Sequence, residues 1–333
     1  MIYAPIIIPT CNRIVHLKRL IESLQKNSRA RYTELYISVD VPPDERFVAG
    51  HEDVVEYVKQ IDGFKSINYY IQPYNLGPYN NYYFLISEIS KTYDRFIYLE
   101  DDNEVSDNFI EYMDKMLEYF ENDKSVYAIC ARNDDKGYRG NGTYYMCPIC
   151  SPYGMGHWLK KYYAVKTYIS DAYFEKIGKS FIKCFRLWRN SEKQFNYFAG
   201  DLLREVPAMR NADGSIAAID INTTIVLILE NMKCAYPLIN TTRNWGEDGS
   251  GVNAGMQKRV ENVAVKELDT NSEFCIVDGT QQERTFLMQK QRAREIRRMA
   301  FKTNVRAWMV VIMHILLSDK LFDSFRRRIL KKA

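Results

Sequence analysis

Short apolar segments alternate with stretches of helical periodicity through the first 130 residues, and this alternation constrains the fold more than any other feature. YAPIIIPT, at 3–10, predicts a first strand. The next segment, RIVHLKRLIESLQKN, has apolar residues at 14, 17, 20, 21 and 24, which is the helical period. Strands separated by helices are typical of βαβ units and parallel sheets. We therefore predict an α/β protein whose mostly parallel sheet is flanked by helices.

The same alternation continues along the chain. Strands are predicted over ELYISVD, SINYYIQ, RFIYLEDD and SVYAICA, and helices over EDVVEYVKQI, GPYNNYYFLISEIS and SDNFIEYMDKMLEYFEND. Ser106 is the predicted N-cap of the last of these helices. The segment 135–215 is less regular, and it predicts loops and helices over a scaffold. Helix and strand signals return at 217–230 and 234–239.

Three consecutive carboxylates, Glu100, Asp101 and Asp102, follow the apolar run Phe96 to Leu99. Like charges so close together raise one another's pKa, and a hard divalent cation such as Mg²⁺ or Mn²⁺ would compensate them. Ligands of open α/β sheets bind outside the carboxyl ends of the strands. The acidic triplet, Asp40 and Asn75 all follow predicted strands, so we expect them to line one crevice.

Charge, cysteine content and the N-terminal sequence indicate which partners and which cellular location to expect. A net charge of +4 without a long basic stripe in the body of the chain argues against nucleic-acid binding. Seven irregularly spaced cysteines favour a reducing compartment. The N-terminal MIYAPIIIPT lacks the basic region of a signal peptide. A cytoplasmic location is therefore expected, and attachment to the inner face of the cell membrane is one form that it could take.

Five motifs occur in order between residues 3 and 255: PIIIPTCNR, ISVD, YNLGPYNN, YLEDDNEVSDNFIEYM and NWGEDGSGVNAG. This series resembles the GT-A glycosyltransferases of the family-2 kind, with a further likeness to N-acetylglucosaminyltransferase I-type enzymes. The resemblance implies a Rossmann-like GT-A fold and transfer of a sugar from a nucleotide-diphosphate donor, with a UDP-sugar favoured.

The resemblance also implies roles for particular residues. Asp102 would be a ligand of Mn²⁺ or Mg²⁺ and Asp101 would approach the donor ribose, while Asp40 would meet the base. Asn253, where related sequences often have a histidine, would complete the metal site. The remaining predicted donor-binding residues are Thr10, Arg13, Asn75, Gly77 and Glu100.

Asp220 is predicted as the general base, because it lies where the family tends to place one. Asp201 is its rival, and helix capping is the alternative for both. His157 and Trp158 lie in a region that shapes the acceptor pocket in relatives, although a lone histidine beside a tryptophan more often has a structural role.

The chain is predicted to divide into a catalytic domain at 1–260 and a helical C-terminal extension at 261–333. Within the catalytic domain, 1–130 would bind the nucleotide and 131–260 the acceptor. The extension has an apolar run at 307–317, too short to span a membrane, followed by Phe322, Phe325 and Ile329 among basic residues. Two readings stay open: an interfacial helix on an anionic membrane, or a helix packed on protein.

The sequence thus predicts a metal-dependent, inverting glycosyltransferase that acts on a polysaccharide or glycolipid. The alternatives are a nucleotidyltransferase and a GT-A-fold carbohydrate-binding protein that has lost catalysis. PTCNRIVH contains no glycine, which argues against the glycine-rich phosphate loop expected of a nucleotidyltransferase.

Overall fold

A computed structural model of the chain describes residues 3–133, 142–211, 214–217, 219–246, 267–280 and 301–330. These residues form two compact units. The first contains Met1–Tyr145, Ser151–Lys160 and Ala235–Thr280, and the second contains Met146–Cys150, Lys161–Cys234 and the C-terminal helices. The predicted functional boundaries at 130 and 260 stay a prediction, because compact units are defined by contacts and not by function.

The described part of the chain alternates strands and helices as the periodicity predicts. The strands are β1 (Ile6–Thr10), β2 (Glu34–Val39), β3 (Ser66–Ile71), β4 (Arg95–Tyr98), β5 (Asn103–Val105), β6 (Val126–Cys130), β7 (Tyr144–Cys147), β8 (Met155–Trp158), β9 (Lys233–Pro237) and β10 (Thr242–Asn244). The helices are α1 (Ile14–Gln25), α2 (His51–Val58), α3 (Pro78–Ile89), α4 (Phe109–Tyr119), α5 (Leu159–Tyr168), α6 (Asp171–Gly178), α7 (Phe181–Asn190), α8 (Glu192–Leu202), α9 (Asp220–Leu229), α10 (Phe301–Leu316) and α11 (Asp319–Leu330).

Eight strands form one sheet in the order β3-β2-β1-β4-β8-β6-β9-β7. The four strands β3, β2, β1 and β4 run parallel to one another. Ile6, Ile7 and Ile8 of β1 are fully buried, as expected for a central parallel strand with both faces covered. The predicted α/β fold with a mostly parallel sheet is confirmed.

Strand β8 departs from the parallel pattern and lies antiparallel between β4 and β6. This strand was not predicted, because GMGH at 154–157 lacks the branched residues typical of strands. A Cβ at Gly156 would lie 3.2 Å from the side chain of Leu117 on α4, so this side chain would have to shift for a larger residue to fit. The close packing of α4 on the sheet favours glycine at 156. Because glycine has a low strand propensity, the strand could not be recognised from the sequence.

A two-stranded antiparallel ribbon of β5 and β10 was also missed from the sequence. The pairing brings Asn244 opposite Asn103 and Arg243 opposite Glu104. Each strand has only three residues, too few for an alternating pattern to be recognised. The ribbon carries the NWG motif to the residues that follow the acidic triplet.

The predicted N-cap of α4 is wrong. Asn108 precedes the helix, and Ser106 donates its hydroxyl proton to Asn108 Oδ1 at 2.7 Å instead of capping a backbone N–H. The Ser106 carbonyl still accepts from the N–H of Phe109. Ser106 therefore supports the turn before the helix through its backbone.

Helices α6 to α11 make up most of the second unit. Leu203, Val310 and Phe322 form a buried cluster there, against which Phe325 and Ile329 pack. Of the two predictions for the end of the chain, these apolar residues of α11 thus follow the one in which the helix packs on protein. In the described part of the chain, the helices are too short or too polar to cross a membrane.

Candidate active site

Thr10, the last residue of β1, connects two groups of predicted site residues in the first unit. Its carbonyl accepts a hydrogen bond from the N–H of Asp40 at 2.8 Å. Its hydroxyl donates to Asp101 Oδ2, also at 2.8 Å. Both carboxylates follow strands parallel to β1, so the carboxyl ends of β1, β2 and β4 converge as predicted.

Arg13 bridges the last two acids of the triplet. Its Nη1 donates to Asp102 Oδ2 at 2.8 Å, and its Nη2 forms a short contact with Asp101 Oδ1. Burial acts to lower the pKa of Arg13, but the two carboxylates outweigh it and raise that pKa above its ordinary value. Burial raises the pKa of Asp102 against the opposing effect of Arg13. The guanidinium is thus held charged between the two acids.

The backbone and side chains of the NWG motif surround Asp102. Asn244 Nδ2 donates to Asp102 Oδ1, and the N–H of Trp245 donates to the Asp102 carbonyl at 2.9 Å. A Cβ added at Gly246 would lie 2.1 Å from Asp102 Oδ2, far inside contact distance. A larger residue at 246 would therefore force the loop or this carboxylate to move.

Trp245 anchors the motif through its indole ring. Its Nε1 donates to Glu104 Oε2 at 2.7 Å. The guanidinium groups of Arg19 and Arg243 lie 4.4 Å and 5.0 Å from the ring centroid, in the range of cation–π contacts. Arg243 also pairs with Glu104 through two hydrogen bonds of 2.6 Å and 2.8 Å. These contacts fix the loop that carries Asn244 and Gly246.

Asp40 organises the second group of residues. Its Oδ1 accepts from the N–H groups of Val41 and Leu76 at 2.9 Å and 2.8 Å. Asn75 Nδ2 donates to the Val41 carbonyl, which draws the Asn75–Gly77 turn to the end of β2. Gly77 has φ +75° just before α3, a conformation that favours glycine. Asp40 and the predicted turn are therefore brought together.

Glu100 is half-buried beside Tyr98, whose hydroxyl lies 3.4 Å from Glu100 Oε1. Burial, followed by the negative charge of Asp102, raises the pKa of Glu100 to about 8. This carboxyl group therefore resists ionisation until more positive charge is supplied.

The acids of the site fit a hard divalent cation as far as donor chemistry is concerned. Asp101 and Asp102 present carboxylate oxygens, which Mg²⁺ and Mn²⁺ prefer. No group of three or more His, Cys, Asp or Glu residues is arranged to hold a metal within the part of the chain that the structure describes. Mg²⁺ is usually bound by only one or two protein carboxylates where substrate phosphates supply further ligands. Asn253, the other predicted ligand, lies outside the described residues.

The two candidate bases belong to the second unit and differ in environment. Asp201 is buried and forms a two-pronged ion pair with Arg210, with N–O distances of 2.7 Å and 2.6 Å. Asp220 is the first residue of α9, and its side chain is exposed. Nearby protein atoms still raise the pKa of Asp220 through desolvation. The ion pair gives Asp201 a structural role, whereas Asp220 stays a predicted base.

His157 has a structural environment. It is buried in β8, and its ring lies 5.2 Å from that of Phe96 and 5.3 Å from that of Tyr127. Burial lowers the pKa of His157 to about 3, so the ring is neutral near pH 7. Trp158 donates its Nε1 proton to the Leu117 carbonyl at 3.2 Å. These contacts favour the structural reading for both residues.

The structure thus brings together the eight predicted site residues of the first unit: Thr10, Arg13, Asp40, Asn75, Gly77, Glu100, Asp101 and Asp102. Sequence reasoning missed Asn244 and Gly246 as neighbours of Asp102. Both belong to the NWGEDGSG stretch that carried the family resemblance, so the motif itself was the available signal.

Residues 1–142 match the model of the GNT-I family. The match confirms, over these residues, the resemblance predicted from the motifs. It includes β1 to β6 and the acidic triplet, and it ends before the NWG motif. No curated protein matches the chain significantly.

Several solved structures are similar to part of the chain at low identity. S. aureus TarS 1–349 in complex with UDP is 13% identical, with a TM-score of 0.33 and coverage of 46% of each chain. The mannosyltransferase PcManGT from Pyrobaculum calidifontis, in complex with GDP-Man and Mn²⁺, is 9% identical, with a TM-score of 0.38 and coverage of 69% of each chain. Mouse xyloside xylosyltransferase 1 is 11% identical, with a TM-score of 0.29 and coverage of 47% of this chain and 68% of that one. This chain spans less than half the length of the TarS structures.

Proposed function

We propose that the protein is a metal-dependent, inverting glycosyltransferase that takes a sugar from a nucleotide-diphosphate donor, with a UDP-sugar favoured. One observation carries the proposal: Thr10, at the end of β1, and Arg13, in the loop that follows, bind the acids at the end of β4. All of these residues lie within the part of the chain that matches the family model. The acceptor is proposed to be a polysaccharide or a glycolipid.

The residues of the first unit would hold the donor in an extended arrangement. Asp40 keeps Oδ2 able to accept a hydrogen bond from the base, because both of its backbone bonds use Oδ1. Asp101 would accept from the ribose, and Arg13 is close enough to these acids to contact the diphosphate as well. The charge that develops on the leaving diphosphate would be neutralised by a divalent cation held by Asp102. Asp220 would take the proton of the acceptor hydroxyl.

Arg13 also explains how Asp101 and Asp102 can lie side by side. The guanidinium compensates two buried carboxylates that would otherwise repel each other. A donor diphosphate offers Arg13 an alternative anionic partner. If Arg13 binds the diphosphate, it no longer pairs with Asp102, and this carboxylate becomes able to bind the cation. Binding of the donor and binding of the cation are therefore expected to favour each other.

The test is incubation of the purified chain with UDP-, GDP- and dTDP-sugars in the presence of Mn²⁺ or a chelator. Donor turnover that requires the cation supports the proposal, and NMR of the product should show an inverted anomeric configuration. Release of pyrophosphate from a nucleoside triphosphate and a sugar phosphate would instead indicate a nucleotidyltransferase. Sugar binding without turnover of any donor or acceptor would indicate a carbohydrate-binding protein.

A further inference from the structure

One face of α10 is both apolar and exposed. Along it recur Phe301, Val305, Met309, Ile312 and Leu316, whose exposed fractions range from 41% to 81%. Spacings of three and four residues place these side chains on one side of the helix. A helix packed on protein normally has polar residues on its outer side. An exposed apolar face such as this one is therefore expected to bind a partner.

The inner face of α10 is already covered by protein. Ala307, Val310, Val311 and His314 are buried, and α10 packs on α7 and α8 of the same unit. The outer stripe is therefore additional to the surface that holds α10 in place. Covering it is not needed for the helix to be part of the folded unit.

Helix α7 extends the apolar surface. Its Phe181, Ile182 and Phe185 are exposed by 56%, 79% and 41%. Trp308 of α10 joins the two helices, since its ring centroid lies 5.5 Å from that of Phe181 and 5.9 Å from that of Trp188. We call the exposed side chains of the two helices the α7–α10 face: Phe181, Ile182, Phe185, Phe301, Val305, Met309, Ile312 and Leu316.

The charges on these two helices have a single sign. Neither helix contains an aspartate or a glutamate, and the basic residues are Lys183, Arg186, Arg189, Lys302 and Arg306. Among them, Arg306 pairs with Glu205, Arg186 donates to Asn231, and Lys183 Nζ lies 4.8 Å from the ring centroid of Tyr173. Arg189 and Lys302 are exposed beside the apolar side chains. A partner for this surface should therefore be negatively charged as well as apolar.

We propose that the α7–α10 face binds the interface of an anionic lipid bilayer. The apolar side chains would enter the region between headgroups and acyl chains, while Arg189 and Lys302 would contact lipid phosphates. A second copy of this chain fits less well, because pairing like faces would bring the basic residues together. The inference does not depend on the proposed sugar transfer.

This surface differs from the one that the sequence suggested. The sequence pointed to Phe322, Phe325 and Ile329 of α11, but those residues pack inside the second unit. The structure therefore assigns membrane contact to α7 and α10. Of the apolar run at 307–317, the residues Met309, Ile312 and Leu316 remain available for it.

The test is co-sedimentation of the full chain with vesicles of phosphatidylglycerol and phosphatidylcholine, compared with vesicles of phosphatidylcholine alone. We expect wild-type protein to bind the anionic vesicles and to be released by high salt. The double variant Ile182→Glu/Met309→Glu should bind at least about tenfold more weakly, because two side chains can no longer enter the apolar region. The control Ile239→Glu changes a side chain that is 54% exposed in the first unit, and it should bind normally.

A second variant tests the electrostatic contribution separately. Arg189→Gln/Lys302→Gln should weaken binding to anionic vesicles by about fivefold for each residue. Circular dichroism melting identifies any variant that does not fold. Failure of folded wild-type protein to bind anionic vesicles would overturn the proposal, as would equal binding by wild type and Ile182→Glu/Met309→Glu. A wild-type dimer that this variant converts to a monomer, without vesicle binding by either, would show that the face joins two copies of the chain.

Discussion

Arg13 Nη1 donates a hydrogen bond to Asp102 Oδ2 at 2.8 Å across 89 residues of sequence. The contact joins the loop after the first strand to the acid that the family resemblance implies as the metal ligand. Its geometry depends on β1 and β4 being adjacent and parallel. The same arginine also contacts Asp101, so one cation compensates two acids.

We expect Asp102→Asn to lower donor turnover by at least about 100-fold while the protein stays folded. The substitution removes the charge that would hold a divalent cation and leaves the side-chain volume nearly unchanged. Turnover is measured over a Mn²⁺ titration, together with the thermal midpoint.

The control for this substitution is Asp62→Asn, because Asp62 is an exposed carboxylate that precedes β3. It should behave as wild type. Wild-type turnover by Asp102→Asn at limiting Mn²⁺ would contradict the metal assignment.

Gly246→Ala tests the close approach of the NWG loop to Asp102. The new methyl group would start 2.1 Å from Asp102 Oδ2, so the loop or the carboxylate must move. A misplacement near 1 Å typically lowers turnover by about 100-fold. We expect such a loss in steady-state kinetics, with the melting temperature much less affected. An unchanged turnover would mean that this approach is unimportant for activity.

Asp220→Asn and Asp201→Asn should separate catalysis from stability. Asp220 is exposed, so its substitution should leave stability within about 0.5 kcal/mol of wild type. Turnover should fall by roughly 10²–10⁴-fold, as for the loss of a general base, while donor affinity changes little.

Asp201→Asn should instead destabilise the protein by about 3 kcal/mol, because it leaves the cation of Arg210 without its buried partner. Denaturant unfolding and single-turnover kinetics measure the two effects. Near-normal turnover of Asp220→Asn on the true acceptor would exclude that residue as the base.

Asp114 predicts a specific pH dependence of stability. It is buried on α4, its Oδ1 accepts from the N–H of Ala4 at 3.0 Å, and its Oδ2 lies 3.6 Å from Arg29. Burial raises the pKa of Asp114 to about 7, although the Ala4 N–H and the charges of Arg29 and Arg95 oppose this rise.

The folded state therefore binds this proton more tightly than the unfolded state does. The resulting stabilisation is complete below the ordinary aspartate pKa and is lost as the pH rises through the folded value. Wild type should lose about 1 kcal/mol relative to Asp114→Asn between about pH 6 and about pH 8. Urea unfolding at the two pH values measures this difference, and a constant difference would contradict the shifted pKa.

Periodicity was sufficient to predict most of the regular structure in the first 130 residues. The helical spacing in α1 and the buried run in β1 depend only on which faces are covered, so local sequence reports them. Strand β8 and the β5–β10 ribbon were missed because their residues are selected by contacts with distant segments. Secondary-structure propensities depend on local residue types, so they contain no information about such contacts.

The candidate site shows the same division. The carboxylates of the triplet and the Asn75–Gly77 turn were found because polar residues after strands are conspicuous in the sequence. Asn244 and Gly246 were missed as neighbours of Asp102, since a contact across 142 residues leaves no local pattern. The exposed stripe of α10 also required the structure, because a sequence does not state which side of an apolar helix is covered.

The sequence by itself determined the α/β class, the order of most elements and the chemical type of the site, because these follow from local periodicity and from charges placed at strand ends. Tertiary structure alone decided which cation compensates the acids, which loop approaches Asp102, and which apolar side chains remain exposed. These outcomes depend on distances between segments far apart in the chain. Only the pairing of strands and the packing of helices set such distances.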